Sequence, residues 1–222
     1  MKISYIIVIK TPGLWGTGKK GLEADNLTYK CRIGEVEVPC IPSTSIKGAL
    51  RKTASQLLPI LKQIGAVKDP NIIKEVFGDR GTSYTPLTLT DAIPLSSTDI
   101  AKEAFKKGIH ILINNILKIP TMTVPHVRID DKSLTAAKRA LFTEERIPVE
   151  TSLYGEIHIY EKLLGEDKAL EAMRLILFSL SDLRYRYLGR KSLIDIKIIG
   201  IEPSNLLEDK YISFIYNNLS LR

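Results

Sequence analysis

Residues 2–10 (KISYIIVIK) form an almost unbroken apolar run rich in β-branched and aromatic side chains, the pattern of a buried strand. The pattern then stops. Residues 11–35 carry Gly13, Gly16, Gly18 and Gly21 among Lys19, Lys20, Lys30 and Arg32. This predicts a long glycine-rich basic loop, and ordered loops of that length usually carry a function. A short run over 36–42 ends at Pro42, after which Ser43, Thr44 and Ser45 offer side-chain caps for a helix. Ile46, Leu50, Ala54, Leu57, Leu58 and Leu61 carry helical periodicity to about residue 64, and a second short helix is expected to end at Val76–Phe77–Gly78.

Residues 86–93 (PLTLTDAI) alternate as a strand, and 99–118 read as a helix running into an apolar stretch. Residues 119–150 hold Pro120, Pro125 and Pro148 around polar sequence, which predicts an insertion with a short helix near 133–140. Alternation returns over 152–161. Residues 166–186 place Ala169, Met173, Ile176, Leu177 and Leu180 on one helical face, and 193–201 (LIDIKIIGI) read as a last buried strand. Strand, helix, strand, insertion, strand, helix, strand is the α+β, ferredoxin-like (RRM-like) β-α-β-β-α-β order. One domain over 1–222 is expected, with insertions at about 11–40 and 95–150. Many RNA-binding domains share that fold, but a fold does not give a function.

Charge gives the pattern a direction. Lys and Arg total 32 against 25 acidic residues, a net charge of +7 and a pI near 9.3, which favours polyanions such as nucleic acid. No apolar run reaches the ~18 residues of a membrane span, and the N-terminal segment lacks a signal peptide's features, so a cytoplasmic protein without a membrane partner is expected. Neither the cysteines, Cys31 and Cys40, nor the histidines, His110, His126 and His158, have zinc-ligand spacing. A disulfide framework is not expected either, and the cysteine usage reads as a reducing compartment.

The sharpest local signal is Ile41–Pro42–Ser43–Thr44–Ser45–Ile46–Lys47–Gly48–Ala49–Leu50–Arg51. Hydroxyls sit where free backbone N–H groups and the helix dipole favour an anion. Lys47 and Arg51 are one turn apart on the same face. A phosphate of RNA suits such a place, although a plain capped helix with two surface cations is the blander account of the same residues.

This segment resembles the I-P-G-S-S-L-K-G-x-(L/M)-R signature of the RAMP superfamily of CRISPR proteins. Further resemblances follow in order. Val76–Phe77–Gly78–Asp79 is similar to the family's (L/V)-F-G-(D/N/S), and Leu89–Thr90–Asp91–Ala92 to its F-x-D-A strand. Val127–Arg128–Ile129–Asp130, Leu134–Thr135–Ala136–Ala137 and Ala140–Leu141–Phe142 resemble R-I-D, T-x-x-A and A-L-F, and Val149 to Ile159 resembles P-x-G-x-x-F-x-G-x-I. The series spans about residues 40–160 and lies nearest to the repeated backbone subunits of type III CRISPR effector complexes.

The resemblance implies a partner set: a guide (CRISPR) RNA, a target RNA and other effector subunits, including neighbouring RAMP proteins. It implies a thumb-like insertion crossing the guide–target duplex. Ser43, Thr44, Ser45, Lys47 and Arg51 would grip the guide backbone, helped by Lys19, Lys20, Arg128, Arg190 and Lys191, with Trp15 stacking on a base. Cleaving members carry an aspartate in the first loop, which points to Asp25 as a catalytic residue and a ligand for Mg2+ or Mn2+, with Glu23 its nearest competitor. Two departures stand out. The family's L-G-(G)-x-x-S-R-G-(F/Y)-G loop is reduced here to Leu188–Gly189–Arg190–Lys191–Ser192, and P-G-S-S is Pro42–Ser43–Thr44–Ser45. Two roles therefore stay open: a guide-holding subunit that is also a metal-dependent endoribonuclease, or a non-catalytic capping or adaptor subunit. A guide-processing nuclease ranks last, because such relatives carry two fused ferredoxin-like domains and a histidine-based site. The formal G-x-G-x-x-G at 16–21 precedes no apolar helix, so dinucleotide binding is set aside.

Overall fold

The computed structural model describes residues 1–221 apart from 23, 80–83, 114 and 130–134; the side chains of Arg128 and of 136–140 also lie outside that description. The fold is built on the first apolar run. Strand β1 (Lys2–Ile9) pairs antiparallel with β8 (Ser152–Ile159) on one side and with β10 (Ser192–Glu202) on the other. Beyond β8 lie β4 (Leu87–Leu89) and β5 (Ile93–Pro94), and beyond β10 lies β9 (Tyr187–Leu188). With helix α1 (Ser43–Gln63) after β1 and helix α6 (Glu166–Leu183) after β8, the sheet order β4-β8-β1-β10 is the ferredoxin-like arrangement the periodicity predicted.

Both faces of the sheet are covered, which is why β1 is apolar at almost every position. Ile46, Leu50, Ala54 and Leu61 of α1 and Ala169, Met173, Ile176 and Leu180 of α6 pack against Ile3, Tyr5, Ile7 and Ile9. On the opposite face Ile6 and Tyr154 are covered by Ala101 and Ala104 of α3 (Thr98–Lys107) and Leu112 of the short α4 (His110–Ile113). Two glycines make room for large neighbouring side chains, one across paired strands and one under α3. A Cβ on Gly155 would sit 2.7 Å from the Tyr5 hydroxyl, and one on Gly200 would sit 2.4 Å from the Phe105 ring. Gly155→Ala should therefore cost about 1–3 kcal/mol by overpacking, read as a lower denaturation midpoint.

Four expectations are corrected. The region 11–35 is not a loose loop: Gly13 bridges Ile147, Gly16 bridges Thr28 and Asn26 bridges Glu144, and the segment ends in a hairpin of β2 (Lys30–Ile33) and β3 (Val36–Pro39). The predicted helix over 99–118 stops at Lys107, because Gly108 turns the backbone to φ +107. Within 133–140 the described backbone is strand, not helix: β6 (Met122–Ile129) and β7 (Ala136–Arg146) form a separate hairpin. Ala, Lys, Arg and Leu are good helix formers, and cross-strand pairing overrides that preference here. Finally, Cys31 and Cys40, expected to stay unpaired, are joined as a disulfide that closes the β2–β3 hairpin.

Elements not anticipated as named pieces include α5 (Glu161–Leu164), a 3-10 turn at Ser204–Glu208, and α7 (Lys210–Leu219), which packs Ile212, Ile215 and Leu219 into the main core. The expected second helix is α2 (Ile72–Phe77). Among the described residues no helix is long and apolar enough to cross a membrane.

Candidate nucleic-acid interface

The start of α1 is set by a carboxylate from elsewhere in the chain. Ile41 leaves the β3 end and exchanges backbone hydrogen bonds with Ala92 at 3.0 and 2.9 Å, which splits the predicted 86–93 strand into β4 and β5. The turn places Asp91 at the helix end, where its Oδ1 accepts from Ser43 N at 2.7 Å. No side chain of the Ser43–Thr44–Ser45 run caps the helix, contrary to expectation; Pro42 holds the cap position and Asp91 satisfies the first amide. The hydroxyls of Ser43, Thr44 and Ser45 are thus left to the surface, with Thr44 exposed.

Lys47 and Arg51 share a face but not a state. Lys47 is half-buried and its Nζ donates to Thr85 Oγ1 at 2.7 Å and to the Leu87 carbonyl at 3.2 Å. Burial lowers its pKa, and the charge of Arg51 lowers it further. Two of its three donors therefore fasten α1 to β4. Arg51 is exposed.

Beside the helix start lies a cleft of about 350 Å³ lined by Trp15, Gly16, Asn26, Pro42, Ser45 and Arg190, among others. It joins the glycine-rich segment, the α1 start and the loop after β9. Trp15 was expected to stack on a base. Instead it is 3 % exposed and forms a wall of the cleft, with its ring folded back under Gly13. Gly189 lies on the same ring: a Cβ there would come 2.8 Å from Trp15 Nε1 and from the Leu14 carbonyl. The remaining glycine of the shortened loop is thus consumed by an internal contact. Three tyrosines are exposed: Tyr84 by 89 %, Tyr185 by 79 % and Tyr187 by 63 %.

Three arginines near the shortened loop are paired with acids. Arg184 pairs with Asp195 at 2.6 Å, Arg186 pairs with Asp182, and Arg190 Nη1 reaches Glu144 at 2.5 Å. Lys191 is exposed, at φ +55, and Lys19 and Lys20 are exposed. Arg128 lies in β6, and its side chain is outside the described set.

Glu144 was missed by sequence reasoning, since an acid in a charged stretch gives no signal of burial. It is 1 % exposed and is held by Arg146 at 2.6 Å and by Arg190, with His126 Nε2 3.2 Å away but poorly aligned for a hydrogen bond. Its neighbour Glu145 accepts from Thr28 N at 3.1 Å and Thr121 Oγ1 at 2.6 Å and pairs with Lys30 at 2.7 Å. Burial alone would raise both pKa values, but the cations and donors around them outweigh it and hold both carboxyls below the usual range. A depressed folded-state pKa adds stability above the unfolded value of ~4.3 that is lost as pH falls through the folded value. Thermal melts should thus fall off steeply below about pH 4, and Glu144→Gln should remove part of that dependence while lowering the melting point at neutral pH.

Asp25, the predicted catalytic and metal-binding residue, is anchored rather than on a free loop. Its Oδ2 accepts from Thr143 N of β7 at 2.9 Å, and its own amide donates to Thr143 Oγ1 at 3.2 Å. The Oδ1 oxygen is the one left to face a ligand. Among the described residues no group of three metal-ligating side chains includes Asp25. Glu23, Asp130 and Asp131 lie outside the described residues. Asp79 pairs with Lys74 at 3.8 Å.

The RAMP superfamily matches this sequence over residues 7–193. The chain belongs to the RAMP superfamily. Among solved structures, it is similar to a chain of a type III-B Cmr-beta assembly determined by cryo-EM in the apo state, with 16 % identity over 90 % of this chain and 98 % of that one, and a TM-score of 0.58. A chain of type III-B Cmr-beta bound to cognate target RNA matches at 14 % identity, over 90 % and 97 % of the two chains, with a TM-score of 0.58. At those identities the likeness shows the fold. No curated protein matches.

Within this RAMP chain, Gly48 is the motif residue that the structure leaves unexplained internally. It is exposed in the second turn of α1, and a Cβ there would meet nothing within 4 Å. A glycine inside a helix costs about 1 kcal/mol relative to alanine. Gly48→Ala should therefore stabilise the isolated chain by up to ~1 kcal/mol in denaturant melts. Where another backbone lies against this surface, the same change should weaken that association.

Proposed function

We propose that this chain is an RNA-holding RAMP subunit of a type III CRISPR effector complex, gripping the guide's sugar-phosphate backbone at the α1 start. The observation that carries this reading is the meeting of Ser45 at the α1 start, Arg190 and the glycine-rich segment around one cleft, with Arg51 exposed further along the same helix. The Cmr-beta likeness supplies the effector context, and the family supplies CRISPR RNA as partner. Lys47 holds α1 in place and keeps one donor for a phosphate; Lys19, Lys20 and Lys191 extend the positive rim. Backbone contacts position RNA without reading bases, so specificity belongs to guide–target pairing.

The same reading gives Asp25 a role in cutting bound target RNA. Its Oδ1 takes the proton of a ribose 2′-OH; that oxygen bonds to the adjacent phosphorus, the P–O5′ bond breaks, and the leaving 5′ oxygen takes a proton from water. A divalent cation, bound mostly through RNA oxygens and water, would supply charge neutralisation. The non-catalytic capping or adaptor role is favoured by two observations: Asp25 is fastened to β7, and Gly189 is used up against Trp15.

Mixing the chain with labelled guide RNAs of unrelated sequence tests the main reading. Affinities should agree within a few-fold across guides at one salt concentration. A strong preference for one sequence, or no RNA binding with partner subunits present, contradicts it.

A further inference from the structure

Cys31 on β2, Cys40 just past β3 and Asp91 between β4 and β5 come from separate stretches of the chain and meet near the α1 start. Their ligand atoms, two Sγ and one carboxylate oxygen, all lie within 4.8 Å of one another. Both cysteines are buried and joined as a disulfide, and Asp91 Oδ2 lies 3.3 Å from Cys31 Sγ. A disulfide sulfur has no proton to offer that oxygen. That carboxylate oxygen therefore faces the sulfur without a hydrogen bond, and a proton on the sulfur or a cation between the two would turn the contact into a strongly attractive one. A tetrahedral zinc ion, with bonds of ~2.3 Å to sulfur and ~2.0 Å to oxygen, sets a sulfur–oxygen separation of ~3.5 Å, close to the one observed. Two thiolates on the same ion stand ~3.8 Å apart, within reach of side-chain rotation from Cα atoms 5.9 Å apart.

The geometry points to a site for a thiophilic divalent cation of the zinc class, formed by Cys31, Cys40 and Asp91 in the reduced chain and closed by the disulfide. A dithiol reductant supplies two electrons and two protons, breaking the S–S bond and leaving two thiols while the reductant becomes a disulfide. The cation then displaces both protons and forms two metal–sulfur bonds, with Asp91 Oδ2 third and water fourth. Thiolates select this class over Mg2+ and Mn2+. Asp91 Oδ1 stays on Ser43 N, so the ion ties the β2–β3 hairpin to the helix that carries Arg51. This inference does not depend on RNA binding.

The full chain, reduced with a dithiol without oxygen and with two free thiols confirmed by titration, is titrated with Co2+. One equivalent should bind, with tetrahedral ligand-field bands and thiolate-to-cobalt charge transfer, and Zn2+ should displace it. Cys31→Ser and Cys40→Ser should each abolish the charge-transfer signature of a dithiolate site, and Asp91→Asn should weaken binding at least ~10-fold. Where a variant fails to fold, protection of the wild-type thiols from alkylation by Zn2+ reads the same site. A native chain whose disulfide resists the reductant, or a reduced one that takes up no cobalt and gains no protection from zinc, overturns the proposal, as does binding unchanged in Cys31→Ser.

Discussion

Asp25→Asn should lower cleavage of bound target RNA by about 10²–10⁴-fold, the range expected when a positioned general base is lost. The substitution keeps the size of the side chain, and an amide oxygen can still accept from Thr143 N, so the anchor to β7 and the fold should survive. Guide binding should be unchanged within a few-fold. The measurement is single-turnover cleavage in an assembled complex whose other subunits are inactive, with Mg2+ or Mn2+ present. A target with one 2′-deoxy nucleotide at the scissile position should bind normally and resist cutting there alone. Cleavage of that substrate at the normal rate makes water the nucleophile. Unchanged cleavage by Asp25→Asn removes this residue from the chemistry, and no cleavage by the wild-type chain supports the capping role.

Lys47→Ala combined with Arg51→Ala should nearly abolish assembly on guide RNA. The two residues contribute differently. Arg51 is exposed, and a charge-assisted contact to phosphate is worth about 1.5–3 kcal/mol, so its loss alone should cost at least ~10-fold in affinity. Lys47 also holds Thr85 and the Leu87 carbonyl, so Lys47→Ala should lower stability by about 1–3 kcal/mol as well. Arg51→Ala should leave the melting point unchanged, which separates the binding effect from the structural one. A double variant that still folds and assembles like wild type reduces the motif to a helix anchored on β4.

The layers of this fold were legible wherever burial imposed a period. Ile46, Leu50, Ala54 and Leu61 report one helix face, and the runs in β1 and β10 report strands covered on both sides. The β6–β7 hairpin was not legible, because its β7 half is written in helix-forming residues and its pairing is tertiary. In the site, local motifs located α1, Arg51 and Asp25 in the sequence. They could not show that Asp91 supplies the cap, that Trp15 is buried under Gly189, or that Glu144 gathers Arg146 and Arg190. The Asp91–Ser43, Trp15–Gly189 and Glu144–Arg190 contacts join residues far apart in the chain, and spacing carries no trace of them.

The most direct test of the central claim is the salt dependence of RNA affinity, compared between wild type and Arg51→Ala. Each phosphate neutralised on a single strand contributes about −0.7 to the slope of log affinity against log salt. The wild-type chain should show a steep negative slope, unaffected by guide sequence, and Arg51→Ala should make it shallower by about one such step. A slope near zero, or one identical in the two proteins, would contradict a grip on the RNA backbone at the start of α1.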